Sequence, residues 1–181
     1  MTEAEAGRRF TAIYEAHHAQ VFTYAVSRVG RTLADDVVSE TFLVAWRKLD
    51  TVPAAAVPWL LGVARNVVRE RYRAEVRQAS LAAELRAWAD EAVADIADGV
   101  TERAAVLAAL TRLGDDDREL VTLMAWHGLS AGEAARVVGC STATFFVRLH
   151  RARKRLREAL TGAHEVVRRS PMRFSTEEYS R

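Results

Sequence analysis

Apolar residues recur at three- and four-residue steps along most of the chain, the period of a helix packed on one side. Between residues 10 and 29, the positions Phe10, Ile13, Tyr14, Val21, Tyr24, Ala25 and Arg28 keep that step, and Gly30 closes the run. A second helix is expected over residues 33–49, capped by Thr32, with Val37, Val38, Phe42, Ala45 and Trp46 as its apolar stripe. Asp35 and Asp36 fall in its first turn and Arg47 and Lys48 in its last, where the helix dipole favours each sign. Pro53 and Pro58 break the pattern in "DTVPAAAVP". A third helix is predicted over residues 59–78. Leu60, Val63, Ala64, Val67, Val68 and Tyr72 form its inner stripe, and Arg65, Asn66, Arg69, Arg73 and Arg77 project from its other sides.

The periodicity weakens over residues 79–100, where Leu81, Leu85 and Trp88 are the only large anchors of the first half. It returns in "ERAAVLAALTRL", stopped by Gly114, and in "DDRELVTLMAWHG", for which Asp115 is the expected cap and Gly128 the end. Ser130 and Glu133 match the capping-box pattern and open a short helix over residues 131–138. Gly139 can take the left-handed conformation that ends it, and Ser141 caps a long helix that follows. After Gly162 the chain is polar with little period, as a frayed tail would be. The expected fold is all-α. Two small helical domains, residues 1–78 and 101–161, are joined by a linker over 79–100, and 162–181 form a disordered tail.

A chain of 181 residues, half of them apolar, could hold one domain or two small ones. No apolar run is long enough to cross a bilayer, and "MTEAEAGRRF" lacks the apolar core of a signal peptide, so a cytoplasmic protein without membrane insertion is expected. Cys140 is the sole cysteine, which excludes an internal disulfide and a thiolate metal cluster, and the five histidines lack paired ligand spacing. Neither a metal nor a cofactor is expected. His17-His18 reads as a structural pair and Cys140 as a small packing residue.

The net charge of +2 matters less than its distribution. Five Arg stand against two Glu between Leu60 and Arg77, and six acids stand against Arg86 alone between Ala79 and Glu102. From Phe145 to Arg157 there are six Arg or Lys and no acid. Such blocks suggest two surfaces that face polyanions, separated by an acidic linker.

A short helix, a turn containing Gly139 and a second helix make a helix-turn-helix. On the second helix Phe145, Leu149, Ala152 and Leu156 share a face and should pack inward. Thr144, Phe146, Val147, His150, Arg151 and Lys154 are left outward. The first turns of a helix laid in the major groove meet base edges and its flanks meet phosphates. Arg151 suits a guanine edge, while Phe146 and Val147 suit thymine methyls or sugars. A solvated helix would mix charges to gain i,i+4 pairs, and this one does not. In the third helix, Asn66 could read a base and Arg65, Arg69 and Arg73 could hold phosphate. Trp59 could stack on an unpaired base or belong to the core.

Taken together, "ADDVVSETFLVAWRKL", "PWLLGVARNVVRERYR" and "LSAGEAARVVGCSTATFFVRLHRARKRLREAL" resemble the extracytoplasmic-function (ECF) group of bacterial sigma-70 factors over about residues 10–160. The resemblance lies in the order and spacing of three motifs. It implies a subunit that binds core RNA polymerase, at the clamp of the largest subunit and the flap of the second-largest, and directs it to promoter DNA. Asp35, Asp36, Val38, Glu40, Thr41, Phe42 and Trp46 fall on the helix that docks onto the clamp. Trp59, Arg65, Asn66, Arg69 and Arg73 fall on the segment that melts and reads the −10 element. Ser141, Thr142, Thr144, Phe146, Val147, Arg148, His150, Arg151 and Lys154 fall on the −35 reader. An anti-sigma protein often accompanies the family and is a further candidate partner. Two domains on a flexible linker should bind DNA weakly until polymerase fixes both.

Ser39 stands where the family often carries Gln, and "ATFFVRL" replaces a "GTVKSRL"-like motif, which predicts a divergent −35 preference. A stand-alone helix-turn-helix regulator would not require the second basic helix or the acid-started "DDVVSETF" helix. An enzyme is disfavoured, because the chain holds no Gly-rich phosphate loop, G-x-S-x-G or HExxH.

Overall fold

The computed structural model describes residues 2–71 and 99–169. Helix α1, Glu3–Val29, starts well before Phe10 because a cap rather than an apolar stripe sets its beginning. The Thr2 hydroxyl accepts from the Glu5 amide at 3.3 Å, and the Thr2 amide donates to the Glu5 carboxylate at 2.7 Å. Helix α2, Arg31–Arg47, is entered from Gly30 at φ 82°, so Thr32 lies inside its first turn and is not the cap, and Asp35 and Asp36 fall in its second turn rather than its first. A short 3-10 turn, Leu49–Thr51, leads to α3, Ala56–Arg71. That helix begins ahead of Pro58, which the first turn tolerates because its missing amide would have no partner there. The expected end of this helix at 78, Arg73 with it, and most of the linker lie outside the described residues.

Helix α4, Gly99–Arg112, is followed by α5, Asp115–Ala125, with Gly114 rather than Asp115 as its N-cap. Asp115, Asp116 and Asp117 instead fill the first turn of α5, against the positive end of the helix dipole. Buried Arg118 ties the two helices together by donating to the carbonyls of Leu110 at 2.8 Å and Leu113 at 2.7 Å. Helix α6, Ala131–Val138, carries the expected capping box from Ser130 and Glu133. Helix α7, Thr142–Arg169, runs past Leu160 and through Gly162, where a frayed tail was expected. An established helix adds one backbone bond per residue without a new nucleus, so a single glycine need not stop it.

Helices α1, α2 and α3 pack on one another, and α7 packs on α4, α5 and α6. The two groups are not held apart, because α3 lies against α6. A single apolar cluster runs from Tyr24, Phe42 and Leu60 through Leu120 and Leu123 to Phe145 and Leu149. Among the described residues there is no strand, and no helix is long and apolar enough to cross a membrane.

Candidate nucleic-acid interface

Gly139 has φ 73°, a left-handed conformation that a side chain would strain, and the Cys140 amide returns to the Ala135 carbonyl at 3.0 Å. The Ser141 hydroxyl then accepts from the Thr144 amide at 3.1 Å, the cap that launches α7. This turn fixes the angle between α6 and α7. Phe145 and Ala152 are fully buried and Leu149 nearly so, which anchors one side of α7. The other side presents Ser141, Thr142, Thr144, His150, Arg151 and Lys154 to solvent, together with Phe146 at 56% and Val147 at 53% exposure. Cys140 is half-buried against the core.

The cations of α7 are not all free of acids. Asp116 of α5 pairs with Arg148 at 3.6 Å, and Asp117 pairs with Arg155. Lys154 lies 3.9 Å from Glu158. The acids that α7 lacks within residues 145–157 thus come partly from the first turn of α5. Arg148, half-buried by this contact, sits at the flank of the exposed face.

A cleft of about 910 Å³ opens between the two groups of helices. Trp59, Asn66 and Arg69 of α3 line it with Lys48 and Pro53, and α6 contributes Arg136 and Val137 through Gly139. Among the described residues, its charged lining is Lys48, Arg65, Arg69 and Arg136, without an acid. Asn66 and Arg69 are exposed, whereas Trp59 is half-buried against the core. Arg65 departs from the expected outward position. It is 7% exposed, and its Nε donates to both carboxylate oxygens of Glu119, at 3.0 and 3.1 Å. The reason lies in its register, four residues beyond buried Leu61 and three before buried Val68, which puts it on the inner stripe.

On α2 the expected docking residues divide by face. Asp35 and Asp36 are exposed and Glu40 is half-exposed, whereas Val38, Thr41 and Phe42 are buried. Thr41 turns its hydroxyl to the Val37 carbonyl at 2.6 Å. Trp46, 44% exposed, joins Leu43, 41% exposed, and Tyr14 in an apolar patch absent from the sequence expectation except for Trp46. Phe10 supports the Trp46 ring edge-on at 5.2 Å, and Phe42 supports Tyr14 at 4.7 Å. Solvent-facing apolar patches of this kind mark contact surfaces.

A buried polar seam joins the two groups of helices, and no sequence expectation covered it. Glu119 of α5 accepts from the Tyr24 hydroxyl at 2.6 Å and lies 3.9 Å from Arg28, besides its bonds from Arg65. Burial, and then the Glu119 charge, push the Tyr24 phenol well above its ordinary pKa, so it stays a donor. Gln20 donates to the His127 carbonyl at 3.0 Å, and Arg28 donates to the Asp115 carbonyl at 3.0 Å. The signal was a charge on an apolar stripe. Arg28 follows Tyr24 by four residues, and Glu119 precedes Leu123 by four. Among the described residues, no group of three or more His, Cys, Asp or Glu is arranged to hold a metal.

Residues 13–78 match the family model "Sigma-70 region 2", and residues 103–156 match "Sigma-70, region 4". The chain is 30% identical over 154 residues to the ECF RNA polymerase sigma factor SigL of Mycobacterium tuberculosis, covering 82% of this chain and 87% of that protein. It is 34% identical over 145 residues to the ECF RNA polymerase sigma factor BldN of Streptomyces coelicolor, covering 75% of this chain but only 55% of the relative. Its fold is similar to that of CnrH solved in complex with the cytosolic domain of CnrY. The TM-score is 0.63 at 29% identity, over 88% of this chain and 94% of that one. With both regions matched in order, the chain belongs to the ECF group of the sigma-70 family, the RNA polymerase sigma factors that direct promoter-specific transcription initiation.

Proposed function

We propose that this sigma factor docks on core RNA polymerase through α2, reads the −35 element with α7 and engages the −10 element with α3. The observation that carries this reading is the outward face of α7. It sets Thr144, Phe146, Val147, His150 and Arg151 beyond a capped turn, with the opposite face locked in the core. Polar and apolar groups alternate there with cations, as base edges, thymine methyls and phosphates require. Ser141, Thr142, Arg148 and Lys154 complete the set as phosphate contacts. The exposed part of the docking surface is Asp35, Asp36, Glu40, Leu43 and Trp46, while Val38, Thr41 and Phe42 hold that face in place. Trp59, Asn66, Arg69 and Arg73, with Arg65 once it is free, serve the −10 element.

The chain acts in the cytoplasm as a specificity subunit without chemistry of its own, over an N-terminal domain 1–78, a linker 79–100 and a C-terminal domain beginning at 101. The clamp and flap of core polymerase are its contacts. An anti-sigma protein is a further partner, by analogy with the CnrH–CnrY complex. The test is run-off transcription by core polymerase on a promoter library, with and without the chain. New start sites that depend on the chain are expected, and their absence would sink the reading. Arg151→Ala should relax the −35 preference of those promoters, and an unaltered preference would remove Arg151 from the reading set.

A further inference from the structure

We propose that Arg9 is a positioning residue for the −10 reader, bracing the loop between α2 and α3 that forms one wall of the cleft. This rests on the reading of α3 as the −10 helix. Arg9 reaches from α1 and donates from Nη2 to the Val52 carbonyl at 2.9 Å, across 43 positions of sequence. Val52 is 3% exposed, and its amide closes the 3-10 turn on the Leu49 carbonyl at 3.3 Å. Beyond it the chain turns outward, and Pro53, Ala54 and Ala55 are exposed. Thr51, Pro53 and Ala55 line the cleft together with Trp59, Asn66 and Arg69 of α3. Arg9, the loop and α3 all belong to the N-terminal group of helices.

A peptide bond is planar, so the Val52 carbonyl oxygen and the Pro53 ring nitrogen belong to one rigid unit. Proline offers no amide by which its own backbone could be tied in place. Holding the Val52 oxygen therefore aims the Pro53 ring, and Arg9 supplies the bond that holds it. Arg9 is itself fixed from two sides. Phe10 beside it packs on the core and meets Trp46 edge-on at 5.2 Å. The capping box of Thr2 and Glu5 secures the first turn of α1 ahead of it. The early start of α1, which no apolar stripe explains, thus carries Arg9 to the loop in helical register. Arg9 also precedes residue 13, where the match to sigma-70 region 2 begins, so the donor lies outside the matched segment. Sites that discriminate must hold their walls to about 0.5 Å, and three consecutive exposed residues need an outside tie to do so.

Arg9→Met in the full-length chain keeps the aliphatic stem and removes the donor, and Arg9 is exposed, so the core is spared. With core polymerase, discrimination against single-base changes in the −10 element of a dependent promoter should fall roughly three- to tenfold, the worth of one typical hydrogen bond. Discrimination against changes in the −35 element should stay as in the wild type. Hydrogen exchange at the amides of Thr51, Val52, Ala54 and Ala55 should quicken in the free variant. Arg9→Lys, which retains a shorter donor, should recover part of the −10 discrimination. Arg8→Met removes the same charge from an exposed neighbour and should leave both elements unaffected. The brace is overturned if loop exchange or −10 discrimination is unchanged in Arg9→Met, if −35 discrimination falls equally, or if Arg8→Met acts alike. Chain-dependent start sites with an unaltered −10 preference sink the brace alone. A wild-type chain that supports no initiation removes the −10 reading, and the brace with it.

Discussion

Phe145 and Phe146 are neighbours in the chain and opposites in environment. The first is fully buried and the second is 56% exposed. Phe145→Ala should cost about 3–5 kcal/mol, since it leaves a cavity among Leu149, Ala152 and their neighbours. Phe146→Ala should change stability by no more than about 0.5 kcal/mol while altering the −35 preference. Thermal denaturation and promoter selection on both variants separate the two roles. His127 offers a pH test. Its ring packs edge-on to Tyr24 at 5.7 Å, its Nε2 is buried without a partner, and burial holds its pKa below the ordinary value. The folded chain therefore disfavours the proton that the unfolded chain accepts near pH 6.5. Below that value the unfolded state binds more protons, so stability falls as pH drops from about 7 toward the lowered folded pKa. Melting curves at pH 7.5 and 5.5 should show this loss, and His127→Phe should reduce it. An equal loss in the variant would exclude His127 as the cause.

At the scale of elements, two glycines make opposite predictions. A Cβ at Gly62, within α3, would meet nothing within 4 Å. Gly62→Ala should thus stabilise the chain by roughly 0.5–1 kcal/mol through helix propensity, raising Tm by about 1–4 °C. Gly139 sits at φ 73°, so Gly139→Ala should destabilise by about 1 kcal/mol and loosen the angle between α6 and α7. Calorimetry on the two variants checks both signs, and a stabilising Gly139→Ala would contradict the turn geometry. Helix identities were readable from period and caps. Ser130 with Glu133 announced α6, and Ser141 announced α7. Boundaries were less readable, because Thr2 could start α1 with a polar first turn and no apolar partner, and because α7 could pass Gly162 without one.

At the scale of the whole molecule, one apolar cluster spans both groups of helices and Glu119 joins them. The wild-type chain should unfold in a single calorimetric transition, and Glu119→Gln should separate it into two as the halves uncouple. Two transitions in the wild type would mean that the halves are independent. The α2 face has a comparable logic. Phe42 and Thr41 are internal so that Leu43 and Trp46 can be external on a fixed frame.

Local order was determined by the sequence alone: helix period, the caps at Ser130 and Ser141, the helix-turn-helix, and a basic helix with apolar residues at its tip. These depend on neighbours within about one or two turns, and the chain carries that information in its spacing. The tertiary structure alone decided which charges meet. Arg65, Arg28 and Glu119 each stand on an apolar stripe, and spacing can mark such a residue as odd without naming its partner. Arg65 and Glu119 lie 54 positions apart, and only packing brings them within 3.0 Å. A buried charge is stable only where another part of the chain supplies its counterpart, and that condition belongs to the assembled core.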